Sequence, residues 1–213
     1  MSKKLKKADA AKAEEKGKVK SAARPEKKEA ILEAMLDLIA ERGFHDAPMS
    51  ELVKRSGASA GVIYHYFPSK EDIIHALYRR IRSMKAEVML GEYAPERSPR
   101  EVFCAMWVRA YNFYRSHSRE TRFLDLYLNS TFCKPTSGEE ETTLAPHLDT
   151  ARAHFMKLAR PKNKGGVLKD LPKTVIEELT FNLAARLARR EETIKPAGLE
   201  RTAEAIWLAI AAE

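Results

Sequence analysis

The sequence predicts an all-α protein: a three-helix helix-turn-helix domain near the N-terminus, followed by a larger helical bundle. Three observations carry this. Apolar residues recur at helical spacing through nearly all of the chain beyond residue 25. No segment shows the period-two alternation of a strand. A glycine-containing turn at Gly57-Ala58-Ser59 separates two short helical segments. The boundaries that follow are a basic tail at residues 1–24, a first domain at 25–85 with its motif at about 48–67, and a C-terminal domain at 86–213.

The tail is rich in Lys, Ala and Glu and has no apolar stripe, so it has nothing to bury and is expected to be disordered when free. It also accounts for the charge. The chain carries +8, but residues 1–27 contribute +6, residues 28–90 nothing and residues 91–213 only +2. Charge concentrated in a tail says little about a folded surface, and the tail reads either as a solvated arm or as one that enters a nucleic-acid groove. At 44% hydrophobic and 32% charged residues the composition is that of an ordinary soluble chain. No apolar run approaches the ~18 residues of a membrane span. The first lysines precede no apolar h-region, so no secretory signal is expected. Cys104 and Cys133 are too few for a disulfide framework, which points to a reducing cytoplasm and inert thiols.

In chain order, Pro25 opens the first helix, with Ile31, Leu32, Met35, Leu36, Leu38 and Ile39 on its inner face and Gly43 after its last turn. Pro48 to Ser56 forms a short second helix around Leu52 and Val53, and Ala60 to Phe67 a third. Ser69, with Asp72 three residues on, caps a long fourth helix through Ile73, Ile74, Leu77, Ile81 and Met84 to about Leu90. Ser98-Pro99-Arg100-Glu101 reads as N-cap, N1 proline and capping-box glutamate of a fifth. A shorter helix carries Phe123, Leu124, Tyr127 and Leu128, and Cys133 to Thr143 is a loop by composition. Helices at about Leu144–Arg160, Pro172–Arg190 and Pro196–Ala211 bring the total to nine.

The run Gly57-Ala58-Ser59-Ala60-Gly61-Val62-Ile63-Tyr64-His65-Tyr66-Phe67-Pro68-Ser69-Lys70-Glu71-Asp72 closely resembles the TetR family of bacterial regulators, over residues 25 to 85 including Arg42-Gly43-Phe44. Its aromatic Tyr-x-Tyr-Phe-x-x-Lys core after a Gly-x-Ser turn is far more specific than a lone glycine motif. The resemblance implies a dimeric, double-stranded-DNA-binding regulator whose third helix enters the major groove, with Tyr64, His65, Tyr66 and Lys70 as DNA contacts. The residues support this on their own. A recognition helix needs a small front and an apolar back. Ala60, Gly61 and Val62 supply the front, Ile63 and Phe67 the back, and Ser59 caps amides that face a phosphate. Ser50 on the second helix completes the set. Three positions depart from the family's pattern: Pro48 stands where Thr often caps the second helix, Ser50 where Arg or Lys is frequent, and Ala60 where a longer polar residue is usual. Few side chains remain for bidentate base reading, which leaves DNA shape to carry part of the specificity.

Beyond residue 90 the resemblance fades. Phe103, Trp107, Tyr111, Tyr114, Phe123 and Tyr127 form an aromatic stripe that serves either as core or as the wall of a pocket for a small apolar or aromatic effector. His147, His154 and Phe155 on the seventh helix join the candidate set. The two histidines lack the further ligands a metal site needs, so no metal and no cofactor are expected. Homodimerisation is assigned to the last two helices, through the stripes Ile176, Leu179, Leu183, Leu187 and Leu199, Ala203, Ile206, Ile210, with Ala184 and Ala188 permitting close approach. Nothing in the chain has the order of a catalytic triad, a metal signature or a phosphate loop, so no enzyme is expected. The competing reading, an effector-independent architectural DNA binder, has no use for a second domain lined with aromatics.

Overall fold

The computed structural model describes residues 26–91, 94, 96–132 and 146–212, with the side chains of 146–148 excepted. The basic tail, the loop at 133–143, Cys133 and the side chain of His147 therefore lie outside the described residues. Among the described residues the chain is all-helical, with nine helices and no strand. No described helix is long and apolar enough to cross a membrane. The chain divides into two compact units inside the fourth helix, one ending at Leu77 and the other beginning at Tyr78.

In the first unit, α1 (26–42) buries Ile31, Leu32, Met35, Leu36, Leu38 and Ile39. It stops at Gly43, whose φ of 81° is open to glycine at little steric cost. The Gly43 N–H returns to the Ile39 carbonyl at 2.8 Å. Helix α2 (Met49–Ser56) buries Leu52 and ends on Gly57 at φ 64°. Helix α3 (Ala60–Tyr66) is capped by Ser59, whose Oγ accepts from the Val62 N–H. It turns Ile63 and, just beyond, Phe67 into the core. Ser69 starts α4 (Lys70–Leu90): its Oγ accepts the Asp72 N–H at 3.1 Å and donates to the Asp72 carboxylate at 2.7 Å.

A bidentate ion pair ties α2 to α1. Arg55 donates from Nη1 to Glu41 Oε1 at 2.8 Å and from Nη2 to Oε2 at 2.7 Å. The guanidinium holds the Glu41 carboxyl below its usual range, and the carboxylate holds Arg55 above its own. A carboxyl with a depressed folded pKa adds stability above its unfolded pKa and loses it as the pH falls through the folded one. The stability difference between wild type and Glu41→Gln, read from urea midpoints, should therefore shrink on acidification and vanish below the ordinary carboxylate range. A difference that stays constant with pH would mean the pair contributes nothing. Both groups face solvent, so the effect is small.

In the second unit, α5 (Pro99–Ser116) starts with a reciprocal capping box between Ser98 and Glu101. It packs against α6 (Ser118–Leu128), α8 (173–188) and α9 (Pro196–Ile210). Helix α7 (Pro146–Leu158) leads through a 3₁₀ turn, Lys162–Lys164, towards α8. Helix α8 is interrupted by a π turn at Glu178–Asn182. Three residues at i, i+4 and i+8 on α5 fasten α8 and the chain after it. Trp107 Nε1–H donates to the Thr180 carbonyl in the π turn at 3.1 Å, and the Tyr111 hydroxyl accepts the Ile194 N–H at 3.3 Å. Arg115 donates to the carbonyls of Ala188, Arg190 and Glu191 and to Thr193 Oγ1. The otherwise unpaired carbonyls at the end of α8 thus find a donor. The later part of α4 joins this unit through Tyr78, stacked on Tyr127 with ring centroids 4.0 Å apart, and Lys85, whose Nζ donates to the Tyr114 hydroxyl at 3.1 Å.

Candidate nucleic-acid interface and ligand cavity

Helix α3 divides as the sequence predicts. Ile63 and Phe67 are buried, Val62 and Tyr66 half-buried, and Ser59, Ala60, Gly61, Tyr64 and His65 exposed. Ser50 on α2 is exposed as well. Half of Tyr64 faces solvent (51%), unusual for so large a ring, and α3 holds no acidic residue. His65 and Tyr66 meet edge to face, their centroids 5.4 Å apart. The exposed surface is therefore small at its N-terminal end and aromatic with polar tips further on, suited to backbone and methyl contacts more than to bidentate reading of bases. A Cβ built on Gly61 meets nothing within 4 Å, so the chain itself does not require glycine there.

Lys70 stands differently. Its ammonium donates to the Phe44 carbonyl at 2.6 Å, locking the turn after α1 to the start of α4. Burial pushes its pKa down, and the nearby Asp46 partly offsets this. The contact was invisible in the sequence because it joins positions 26 residues apart.

In the second unit an apolar cavity of about 230 Å³ lies among α5, α7, α8, α9 and the segment before α8. Of the residues assigned to a pocket from sequence, Phe103 and Phe155 line it. Trp107, Tyr111, Tyr114, Phe123 and Tyr127 are buried core instead, and His154 is half-buried on α7 away from the lining. The physical reason is that the polar tips of Trp107 and Tyr111 are used up on α8 and Ile194, and that of Tyr114 on Lys85. The wall also includes Val102, Met156, Val167, Ile176, Phe181 and Trp207, with Lys173 and Glu177 the charged residues in the lining. Phe181 and Trp207 were legible as aromatics within helices read as dimer-forming; no spacing rule marked them. Thr180, within the π turn, is also part of the lining, and π turns recur at functional sites.

The stripe Leu199, Ala203, Ile206 and Ile210 is buried within the protomer against its own core, as are Ala184 and Ala188, which allow α5 to approach closely. The outward faces are others: Val175, Leu179, Asn182 and Arg186 on α8, and Arg201, Ala205 and Leu208 on α9. Leu208 is 68% exposed. Cys104 is half-buried; burial, with the neighbouring Glu204 carboxylate, pushes its thiol up to about 11. It is thus protonated at neutral pH and a poor redox sensor.

A sequence profile described as "Bacterial regulatory proteins, tetR family" matches residues 31–77. The regulator BetI of Klebsiella pneumoniae is 36% identical over 67 residues, 32% of this chain and 34% of that protein. The fatty acid metabolism regulator protein of Bacillus subtilis is 41% identical over 49 residues, 23% of this chain and 25% of its own length. The match thus spans about a third of one of these curated relatives and a quarter of the other. Among solved structures, a TetR family transcription regulator from Marinobacter aquaeolei VT8 superposes with a TM-score of 0.74 at 18% identity, covering 91% of this chain and all of its own. A TetR family protein from Vibrio parahaemolyticus does so with a TM-score of 0.64 at 26% identity, covering 88% of this chain and 99% of its own.

Proposed function

Because the chain belongs to the TetR family of bacterial regulatory proteins, we propose that it is a dimeric transcriptional repressor that binds a palindromic operator through α3 and is released by a small apolar effector. The observation that carries this is the outer face of α3, where a glycine the fold does not need sits one turn from a half-exposed tyrosine. Seven residues offer too few contacts for tight binding alone, so two copies must act together. Selection of binding sites from random DNA should enrich inverted half-sites about 10 base pairs apart, centre to centre. Enrichment of single half-sites would overturn the reading.

The dimer is assigned to the outward faces of α8 and α9. Leu208→Arg places a charge where the leucine is already exposed, so the fold should persist while the dimer is lost. Light scattering should give the monomer mass, with operator affinity reduced by about a hundredfold or more because paired binding is lost. A Leu208→Arg protein that stays dimeric would place the interface elsewhere.

The effector is assigned to the apolar cavity. One relative is named for fatty acid metabolism, which makes aliphatic compounds the first to try. Coupling is assigned to α4, the helix within which the two units divide. An effector shifts the population only by its differential affinity, commonly ~1–3 kcal/mol, and bound operator must weaken effector binding by the same factor.

A further inference from the structure

The apolar cavity opens beside a second, larger cleft of about 620 Å³, and the two share Met156, Ala159, Leu168, Lys173 and Ile176. Their chemistry is opposite. The cleft is lined by Arg152, Arg160, Lys164, Lys169 and Lys173 against a single carboxylate, Asp170, which accepts a hydrogen bond from Asn163 at 3.0 Å. Arg152 reaches Asp149 at 3.4 Å, Lys173 reaches Glu177 at 3.6 Å, and Lys169 donates to the carbonyls of Leu208 and Ala209. Arg160 and Lys164 have no side-chain partner among the described residues. Two cations on one turn without a carboxylate partner repel one another unless an anion lies between them.

The turn that carries the two unpaired cations is built, not loose. Gly165 has φ 76°, and a Cβ on Gly166 would lie 2.0 Å from the Arg160 carbonyl oxygen, so neither tolerates another residue. Val167 N–H donates to the Leu158 carbonyl and Leu168 N–H to that of Arg160, both at 3.0 Å. Ala212 N–H returns to the Val167 carbonyl at 2.9 Å. One turn therefore furnishes both walls: Val167 and Leu168 to the cavity, Arg160 and Lys164 to the cleft.

We infer that cavity and cleft are one site, and that its ligand is a single-tailed amphiphile with a multiply charged anionic head. The tail lies among Phe103, Phe155, Phe181 and Trp207, and the head lies against Arg160 and Lys164. At about 230 Å³ the cavity is below the ~300–1,000 Å³ of drug-sized pockets, which suits a short alkyl chain better than a fused ring system. A head with two charges matches the cleft better than one carboxylate, because Arg160 and Lys164 are both without a carboxylate partner and a single charge would leave one of them unneutralised. The placement of the tail rests on the effector reading above; the choice of head does not.

Calorimetry on the full-length chain without DNA tests it, using decyl phosphate, decanol, decyltrimethylammonium and inorganic phosphate. Decyl phosphate should bind about tenfold or more tighter than decanol, with the cationic amphiphile and inorganic phosphate weakest. Added salt should erode the preference, since exposed charges are screened over ~10 Å at 0.1 M. Arg160→Ala combined with Lys164→Ala, at exposed positions that the fold does not depend on, should reduce decyl phosphate to the level of decanol. Ala159→Phe, which puts a ring into the cavity, should weaken both. Equal affinity for decanol, no binding of decyl phosphate, or a preference that survives the double substitution would each overturn the site. Decyl phosphate that binds with this selectivity but leaves the operator complex intact would support the site and refute the effector reading. Release of operator by decanol with no charge preference would do the reverse.

Discussion

Gly61→Leu should weaken operator binding by about a hundredfold or more in a protein that remains folded. A glycine inside a helix costs about 0.5–1 kcal/mol relative to alanine, because its backbone loses more freedom on folding. That cost is usually explained by a positive φ or by a neighbour too close for a Cβ. Gly61 has neither: the positive-φ glycines among the described residues are Gly43, Gly57 and Gly165, and the space around a Cβ at Gly61 is open. The chain itself gives no reason for a glycine there, and the proposed operator contact on the exposed face of α3 supplies one. Gly61→Ala should raise the unfolding free energy by about 0.5–1 kcal/mol and still weaken binding. Gly61→Leu should lower affinity by about a hundredfold, ~2.7 kcal/mol, or more, by holding the helix off the groove floor. Urea unfolding and fluorescence anisotropy with a selected operator give the two readouts separately. Wild-type affinity in a folded Gly61→Leu protein would show that α3 does not enter the groove.

Trp107→Ala should be the most destabilising single change in the second unit, at about 3–5 kcal/mol. Trp107 is fully buried, and its loss removes an indole from the middle of α5 and takes from the Thr180 carbonyl one of its two donors, the Leu183 N–H being the other. Against a total of roughly 5–15 kcal/mol for a domain, that brings the unit close to unfolding at room temperature. Trp107→Phe keeps most of the ring volume and isolates the lost hydrogen bond, which should cost about 0.5–1.5 kcal/mol because the Thr180 carbonyl keeps the Leu183 N–H. Urea titrations followed by far-UV circular dichroism measure both. If Trp107 were instead a wall of the ligand cavity, Trp107→Ala would leave the midpoint nearly unchanged and abolish decyl phosphate binding; that pairing of results would return the residue to the cavity.

The nature of the elements was legible in the sequence because helix signals are local. Ser98, Pro99 and Glu101 mark the start of α5 within one turn, and the structure forms that cap with the predicted partners. Gly43 and Gly57 end α1 and α2 for the same reason: a left-handed residue is needed there, and glycine adopts that conformation without strain. The division of α3 into a buried Ile63 and an exposed Tyr64 also followed from spacing alone, since a short helix on one core has one inner face. The π turn left no local mark, because one added residue in α8 does not interrupt the run of helix-forming side chains.

Periodicity marks a face but does not say what covers it. Leu199, Ala203, Ile206 and Ile210 make a stripe equally suited to a second copy or to their own core, and the structure gives them to their own core. Trp107 and Tyr111 suited a pocket until their polar tips were found engaged on Thr180 and Ile194, 73 and 83 residues along the chain. Lys70 suited a phosphate, and its ammonium lies on the Phe44 carbonyl. The basic cleft draws Arg152, Arg160, Lys164, Lys169 and Lys173 from α7, a turn, the approach to α8 and its first residue, which share no sequence motif. The sequence alone determined the helices, their ends and the outer surface of α3, because those depend on residues within a turn or two. Which faces became core, cavity or outer surface was decided only by the tertiary structure, because burial depends on neighbours that the chain brings together from far apart.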